Sequence, residues 1–199
     1  MIDLPLDTVF TRSVTQHRTK QQLIDERRYQ DVEEAGWGDY VVDDFCERAA
    51  LEGFIIEPKD VQSDTSCTQG SGSSFTGYIK LSVWKTKLAL PSGFTREIGA
   101  RVSRKDGYGQ RYSHERTCYA EVDDEEVDLG AFGDPRTISV LLGLLAVELE
   151  DRRLELCRDL HAAMEKERDW LTSDECVWES LVENNVLEEE DWALASPGE

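Results

Sequence analysis

Apolar and polar positions along the chain change period twice, and the changes mark out its elements. Thr19-Lys20-Gln21-Gln22 has the form of a capping box, with the Thr19 hydroxyl accepting from the backbone at Gln22 and the Gln22 side chain reaching back. A helix from there to about Glu34, with Leu23, Ile24 and Val32 inward, is expected to end at Gly36. From Asp39 to Glu52, apolar residues fall at Val41, Val42, Phe45, Cys46, Ala49 and Ala50, the stripe of an amphipathic helix closed by Gly53. The period then drops to two. Phe54-Ile55-Ile56-Glu57 opens a strand, and Phe75 to Trp84 sets Ile79, Leu81 and Val83 against Tyr78, Lys80, Ser82 and Trp84. Ile98, Ala100 and Val102 alternate with polar neighbours, as do Cys118, Ala120 and Val122.

Four strands without intervening helices predict an antiparallel sheet with one covered face and one wetter face. Helical periodicity returns after the acidic turn Asp123-Asp124-Glu125-Glu126. Asp134-Pro135 supplies an N-cap and a first helical position, and Ile138, Leu141, Leu142, Leu145, Leu149, Leu156, Leu160 and Met164 form a core stripe running toward Asp169. Thr172 and Glu175 read as a second capping box, with Leu171 and Cys176 as its staple, ahead of a short helix carrying Val177, Trp178, Leu181 and Val182. The expected architecture is α+β: an antiparallel sheet of about four strands with helices on one face, including one long C-terminal helix. Residues 1–18 are an extended leader, 19–187 a single domain, and Glu188 to Glu199 an acidic tail expected to be mobile.

Charge sharpens this division. The 199 residues carry a formal charge of −20. It is unevenly placed: residues 1–60 hold −7, residues 61–120 hold +5 and residues 121–199 hold −18. The basic third is therefore the sheet and the acidic ends are helical. Such a balance argues against direct binding to nucleic acid and favours a basic partner or plain solubility. The longest apolar run, around Val140 to Val147, falls far short of the ~18 residues of a membrane span. Met1 to Pro5 lacks the features of a signal peptide, and five cysteines without paired spacing do not form a disulfide framework, so the cytosol is the expected compartment.

Candidate chemistry is sparse. Gln69-Gly70-Ser71-Gly72-Ser73-Ser74-Phe75 concentrates glycine and hydroxyl residues, but it leads into a strand. A phosphate cradle needs a glycine-rich turn that opens a helix, so a dinucleotide or P-loop site fails on context. His114 has no second His or Cys at ligand spacing, His161 falls in the acidic helix where solvation is its expected role, and no cofactor or metal is implied. With 42 carboxylates, no pair stands out as an acid and base, and Cys–His pairings lack a local signature, so no catalytic residue is assigned.

Three segments carry a resemblance. Gln69 to Gly77, Arg111-Tyr112-Ser113-His114-Glu115, and Glu165 to Glu175 resemble a widespread family of uncharacterised phage proteins. In that family a Ser-Gln-Gly-Asp-Gly-Ala-x-Phe loop enters a strand, a Tyr-x-His follows, and a Leu-Thr-Ser-Asp-Glu helix closes the domain. This chain has Thr68 and Ser71 where the family favours Ser and Asp. The resemblance implies a phage or prophage origin and an α+β fold, without an activity to carry over.

Two surfaces follow as candidates. One is the basic end of the sheet, with Gln69, Gly70, Ser71, Gly72, Phe75, Arg111, Tyr112 and His114, suited to a nucleotide or other small anion. The other is the acidic helices, with Glu148, Glu150, Asp151, Glu155, Asp159, Glu165, Glu167, Asp174, Glu175 and Glu179, suited to a basic, nucleic-acid-binding host protein whose groove carboxylates at helical spacing can occupy. The leading expectation is an acidic, phage-encoded inhibitor of a host defence protein, of anti-restriction or anti-CRISPR type. The alternatives are a small-ligand domain and a structural or regulatory accessory protein. Oligomeric state is not legible from the sequence.

Overall fold

The computed structural model describes residues 18–33, 36–66, 68, 70–85, 87–88, 90–91, 93–94, 98–107, 113–123 and 133–184. Gln69, Arg111 and Tyr112, most of the leader, the acidic turn at 124–126 and the tail at 188–199 lie outside them.

Helices α1 (Lys20–Arg27), α2 (Gln30–Glu33) and α3 (Asp39–Leu51) come first. The Thr19 capping box forms as the sequence predicts, with Gln22 N donating to Thr19 Oγ1 at 3.2 Å and Thr19 N to Gln22 Oε1 at 2.8 Å. The helix nevertheless stops at Arg27 rather than continuing to Glu34. Arg28 is drawn across the molecule, donating to the Thr172 carbonyl at 2.7 Å and pairing with Asp174 at 2.6 Å. In α3 the buried positions are Val41, Phe45 and Ala49, while Ala50 is exposed. Gly53 adopts φ +93° just past the helix, the left-handed conformation that ends helices, and turns the chain directly into β1.

Strands β1 (Phe54–Ile55), β4 (Gly77–Ile79), β5 (Gly99–Arg104) and β6 (Cys118–Asp123) form an antiparallel sheet in the order β1-β4-β5-β6. A separate two-stranded ribbon pairs β2 (Val61–Asp64) with β3 (Gly72–Phe75). Thus Gly72 to Ser74, expected as a loop ahead of the strand, form a strand with Phe75, and all four residues are buried. The strand expected from Phe75 to Trp84 is interrupted at Thr76 and ends at Ile79. Leu81–Trp84 is a helical turn, α4, that buries Leu81 and Trp84 three residues apart.

Pro135–Leu171 forms α5, a helix of 37 residues and about 55 Å. It starts where Asp134 Oδ2 accepts from the Thr137 amide at 3.0 Å, with Pro135 in the first turn. Its stripe of Ile138, Leu142, Leu145, Leu149, Leu156, Leu160 and Met164 is buried, and Leu141 is partly so. The stripe covers the sheet face that carries Phe54, Ile79, Ala100 and Val102. The opposite face stays open, with a cross-strand row of Ile55, Tyr78, Arg101 and Glu121.

Helix α6 (Asp174–Glu183) is capped by Ser173, whose Oγ accepts from Cys176 N at 3.2 Å, one residue later than the Thr172 expectation. Thr172 instead closes α5, its hydroxyl donating to the Arg168 carbonyl. Val177 and Leu181 pack with Leu23 and Ile24 in a small second core under Trp178, and Lys20 Nζ lies 4.4 Å from the Trp178 ring centre.

Candidate functional site

The start of β3, the turn before β6 and the middle of α5 meet around a pocket of about 200 Å³. It is lined by Ser71, Gly72, Ser73, His114, Glu115, Cys157, Arg158, His161, Ala162 and Glu165. The structure therefore joins two segments singled out in the sequence, the Gly/Ser run and His114. Gly72 makes the approach possible: a Cβ there would lie 3.1 Å from His114 Cα and within 3.6 Å of its ring. His114 Nδ1 accepts from Arg116 N at 3.1 Å, which leaves Nε2 as the ring's donor when the imidazole is neutral. The His114 carbonyl accepts from both the amide and the hydroxyl of buried Thr117, fixing the turn.

Not every predicted member of the basic end faces this pocket. Phe75 is fully buried, with Phe45 and Phe54 ring centres at 5.6 and 6.1 Å. Ser71 lines the pocket, its hydroxyl donating to the Thr68 carbonyl at 2.7 Å, whereas Gly70 is not among the lining residues. Arg158 is held by Glu115 through bonds of 2.9 and 3.2 Å, so the pocket mixes charge rather than presenting a cationic cleft.

His161, which the sequence assigns only to solvation, belongs to the pocket. Its Nε2 lies 3.5 Å from Glu165, and its Nδ1 is buried without a hydrogen-bond partner. Four residues separate His161 from Glu165 and from Cys157, so the three share one helix face. Among the described residues no group of three or more His, Cys, Asp and Glu side chains is placed to hold a metal ion, and no helix is long and apolar enough to cross a membrane.

Behind Cys157 lies a buried ionic cluster. Arg153 is 1% exposed, although it occupies a position in the apolar stripe of α5. It donates twice to Glu150, at 2.7 and 2.8 Å, and once to the Glu115 carbonyl at 2.9 Å. Its remaining contacts are sulfur: Cys118 Sγ at 3.1 Å and Cys157 Sγ at 3.5 Å. Burial works against ionisation of Glu150, but hydrogen bonds from Arg153 and the Ala120 amide outweigh it and hold the carboxyl below its ordinary range.

The hydrogen bond from Cys157, aided by the Arg153 charge and the Phe75 amide against the effect of burial, brings Cys118 down to about 6. Cys157, donor to that sulfur and itself buried, is pushed up. A thiolate absorbance titration is accordingly expected to show one group ionising near pH 6 that Cys118→Ser removes. Between that pH and the ordinary thiol value of about 8.5, the unfolded chain binds one more proton than the folded one, so this pair makes stability rise with pH. Above that range Cys157 keeps its proton only in the folded state, and the contribution falls again. Denaturation midpoints that do not differ in pH dependence between wild type and Cys118→Ser would contradict this assignment.

The acidic residues of α5 and α6 divide by what they touch. Glu150 serves Arg153, Glu155 pairs with Arg152, Glu165 faces His161, Glu167 accepts from the Tyr40 hydroxyl, and Asp174 holds Arg28. Glu148, Asp151, Asp159, Glu175 and Glu179 are exposed and form no ion pair among the described residues. Compared with known proteins, the chain matches no family model, no curated protein and no solved structure.

Proposed function

We propose that this chain is a phage-encoded acidic binding protein that docks on the nucleic-acid-binding surface of a host defence protein, of anti-restriction or anti-CRISPR type, and blocks it. The observation that carries the reading is the row Glu148, Asp151, Glu155 and Asp159 along one side of α5, all exposed. At about 1.5 Å per residue its carboxylates follow one another at axial steps of about 4.5 to 6 Å on a rigid support. Glu175 and Glu179 add a one-turn pair on α6. Fixed rows of negative charge steer association with a cationic groove, and a net charge of −20 extends that attraction.

The test is capture of host proteins on the immobilised chain, with elution by salt. A nucleic-acid-binding protein should be retained, its affinity falling at least about tenfold between 0.05 and 0.5 M NaCl. Combined Glu148→Gln, Asp159→Gln, Glu175→Gln and Glu179→Gln substitutions should weaken retention similarly, because exposed changes leave stability nearly intact. Retention insensitive to both salt and these substitutions would sink the proposal.

A second reading, binding of a small polar ligand, is supported by the convergence of Ser71, Gly72, Ser73, His114 and His161 on one pocket. Its volume of about 200 Å³ is below the range of about 300–1,000 Å³ for drug-sized ligands, which disfavours a nucleotide. Thermal shift should then respond to inorganic phosphate or a small carboxylate, not to nucleotides, and His114→Ala should abolish the response.

A further inference from the structure

The first half of α5 is apolar on two opposite sides. One side is the core stripe. The other holds Val140, Leu144 and Val147, which are 63%, 54% and 58% exposed, with exposed Gly143 among them. At about 100° per residue, these four together with Arg136 and Asp151 fall within a stripe about 100° wide, centred about 180° from Ile138, Leu142, Leu145 and Leu149. A surface helix with a single core needs only one apolar side, and a helix apolar on two sides is covered on both. Beyond Asp151 the exposed side changes to Glu155, Arg158 and Asp159, so the feature is confined to about 22 Å of helix.

We propose that this stripe is the interface of a homodimer in which two copies of α5 pack antiparallel about a two-fold axis between Gly143 and Leu144. The occupant is identified by self-complementarity. In that register Val140 meets the partner's Val147, and Leu144 meets the partner's Gly143, where an added Cβ would find nothing within 4 Å in the single chain. At each end Arg136 meets the partner's Asp151. A parallel pairing would instead set Arg136 against Arg136 and Asp151 against Asp151, which the antiparallel register avoids. An isologous contact requires such reciprocal pairing, and here one sequence supplies both members of every pair.

A single helix pair buries less than the roughly 800 Å² per partner of a standard interface, so a weak, concentration-dependent dimer is expected. Each copy carries −20, and screening of that repulsion strengthens the dimer as salt rises, the reverse of what the proposed inhibitor–target contact requires. The dimer does not depend on the inhibitor reading, and the opposite salt responses keep the two tests separable.

Sedimentation equilibrium of the full chain from 5 to about 300 μM, at 0.05 and 0.5 M NaCl, tests the proposal. Dimer is expected to grow with concentration and to tighten at high salt. Leu144→Glu should weaken it at least about tenfold, with circular dichroism and melting temperature unchanged because residue 144 points to solvent. Arg136→Asp and Asp151→Arg should each weaken it about two- to fivefold, and the two combined should restore it. A chain monomeric at every concentration and salt overturns the proposal, as does a dimer indifferent to Leu144→Glu. Failure of the double exchange to rescue the singles overturns the antiparallel register.

Discussion

Arg153→Ala is expected to lower the unfolding free energy by about 3–5 kcal/mol, measured by urea denaturation followed through tryptophan fluorescence. The guanidinium is almost wholly removed from water. Truncation strips Glu150 of both its charge-assisted bonds, leaves the Glu115 carbonyl without that donor and takes the cation away from Cys118 and Cys157. It also opens a void beneath a sheet covered by the same helix. The arginine–glutamate pair is nonetheless not the source of the stability, since desolvating two charges nearly offsets their attraction. Arg153→Met combined with Glu150→Gln is therefore expected to recover much of the loss. The methionine fills the space, and the glutamine oxygen still accepts from the Ala120 amide, which donates to Glu150 at 2.8 Å. A single-variant loss under about 1 kcal/mol, or a double variant no better than the single, would show that the cluster is not held in this way.

Most elements of the fold are legible because their signals are local and redundant. Asp134-Pro135 and the leucine spacing define α5 independently, and the alternation at Ala100 and Val102 fixes which face of β5 is covered. The misreadings arise where two local signals coincide. Phe75 to Trp84 satisfies a period of two, yet Leu81 and Trp84 also satisfy a period of three; packing of Trp84 edge-on to Phe54, with centres 6.1 Å apart, selects the turn. Thr172 and Ser173 are both good caps, and tertiary context assigns one to end α5 and the other to begin α6. The break after Arg27 has no local signal, because it depends on Arg28 reaching a carbonyl 144 residues away.

The pocket was legible by half. Gly72 and His114 stood out by composition, but His161 and Cys157 reach the same space only because α5 crosses the ends of β3 and β6. Arg153 did leave a trace in the sequence: counted along the stripe, it falls between Leu149 and Leu156, in a position otherwise filled by leucine. A charge at a core position marks a buried pair, and Glu150 three residues earlier supplies the partner. Carboxylates could not be sorted this way, since which of them are engaged depends on arginines and histidines from several elements.

Phe75→Ala should lower the melting temperature by about 6–20 °C, corresponding to about 3–5 kcal/mol for a domain of this size. The sequence places Phe75 with the Gly/Ser run as a contact residue, whereas the structure makes it the hinge between that run and the core. Its ring is 0% exposed and lies between Phe45, tilted at 56°, and Phe54, edge-on at 86°. Loss of the ring removes two aromatic contacts and leaves a cavity at the point where β3 is held against α3 and the sheet. Phe75→Leu keeps most of the volume and should lose only about 1–1.5 kcal/mol. Because the backbone of Ser71, Gly72 and Ser73 is positioned by the strand that Phe75 anchors, any ligand or partner binding at that end should fall in step with the folded fraction, not ahead of it. Binding lost while the melting temperature moves by less than about 2 °C would return Phe75 to the surface as a contact residue.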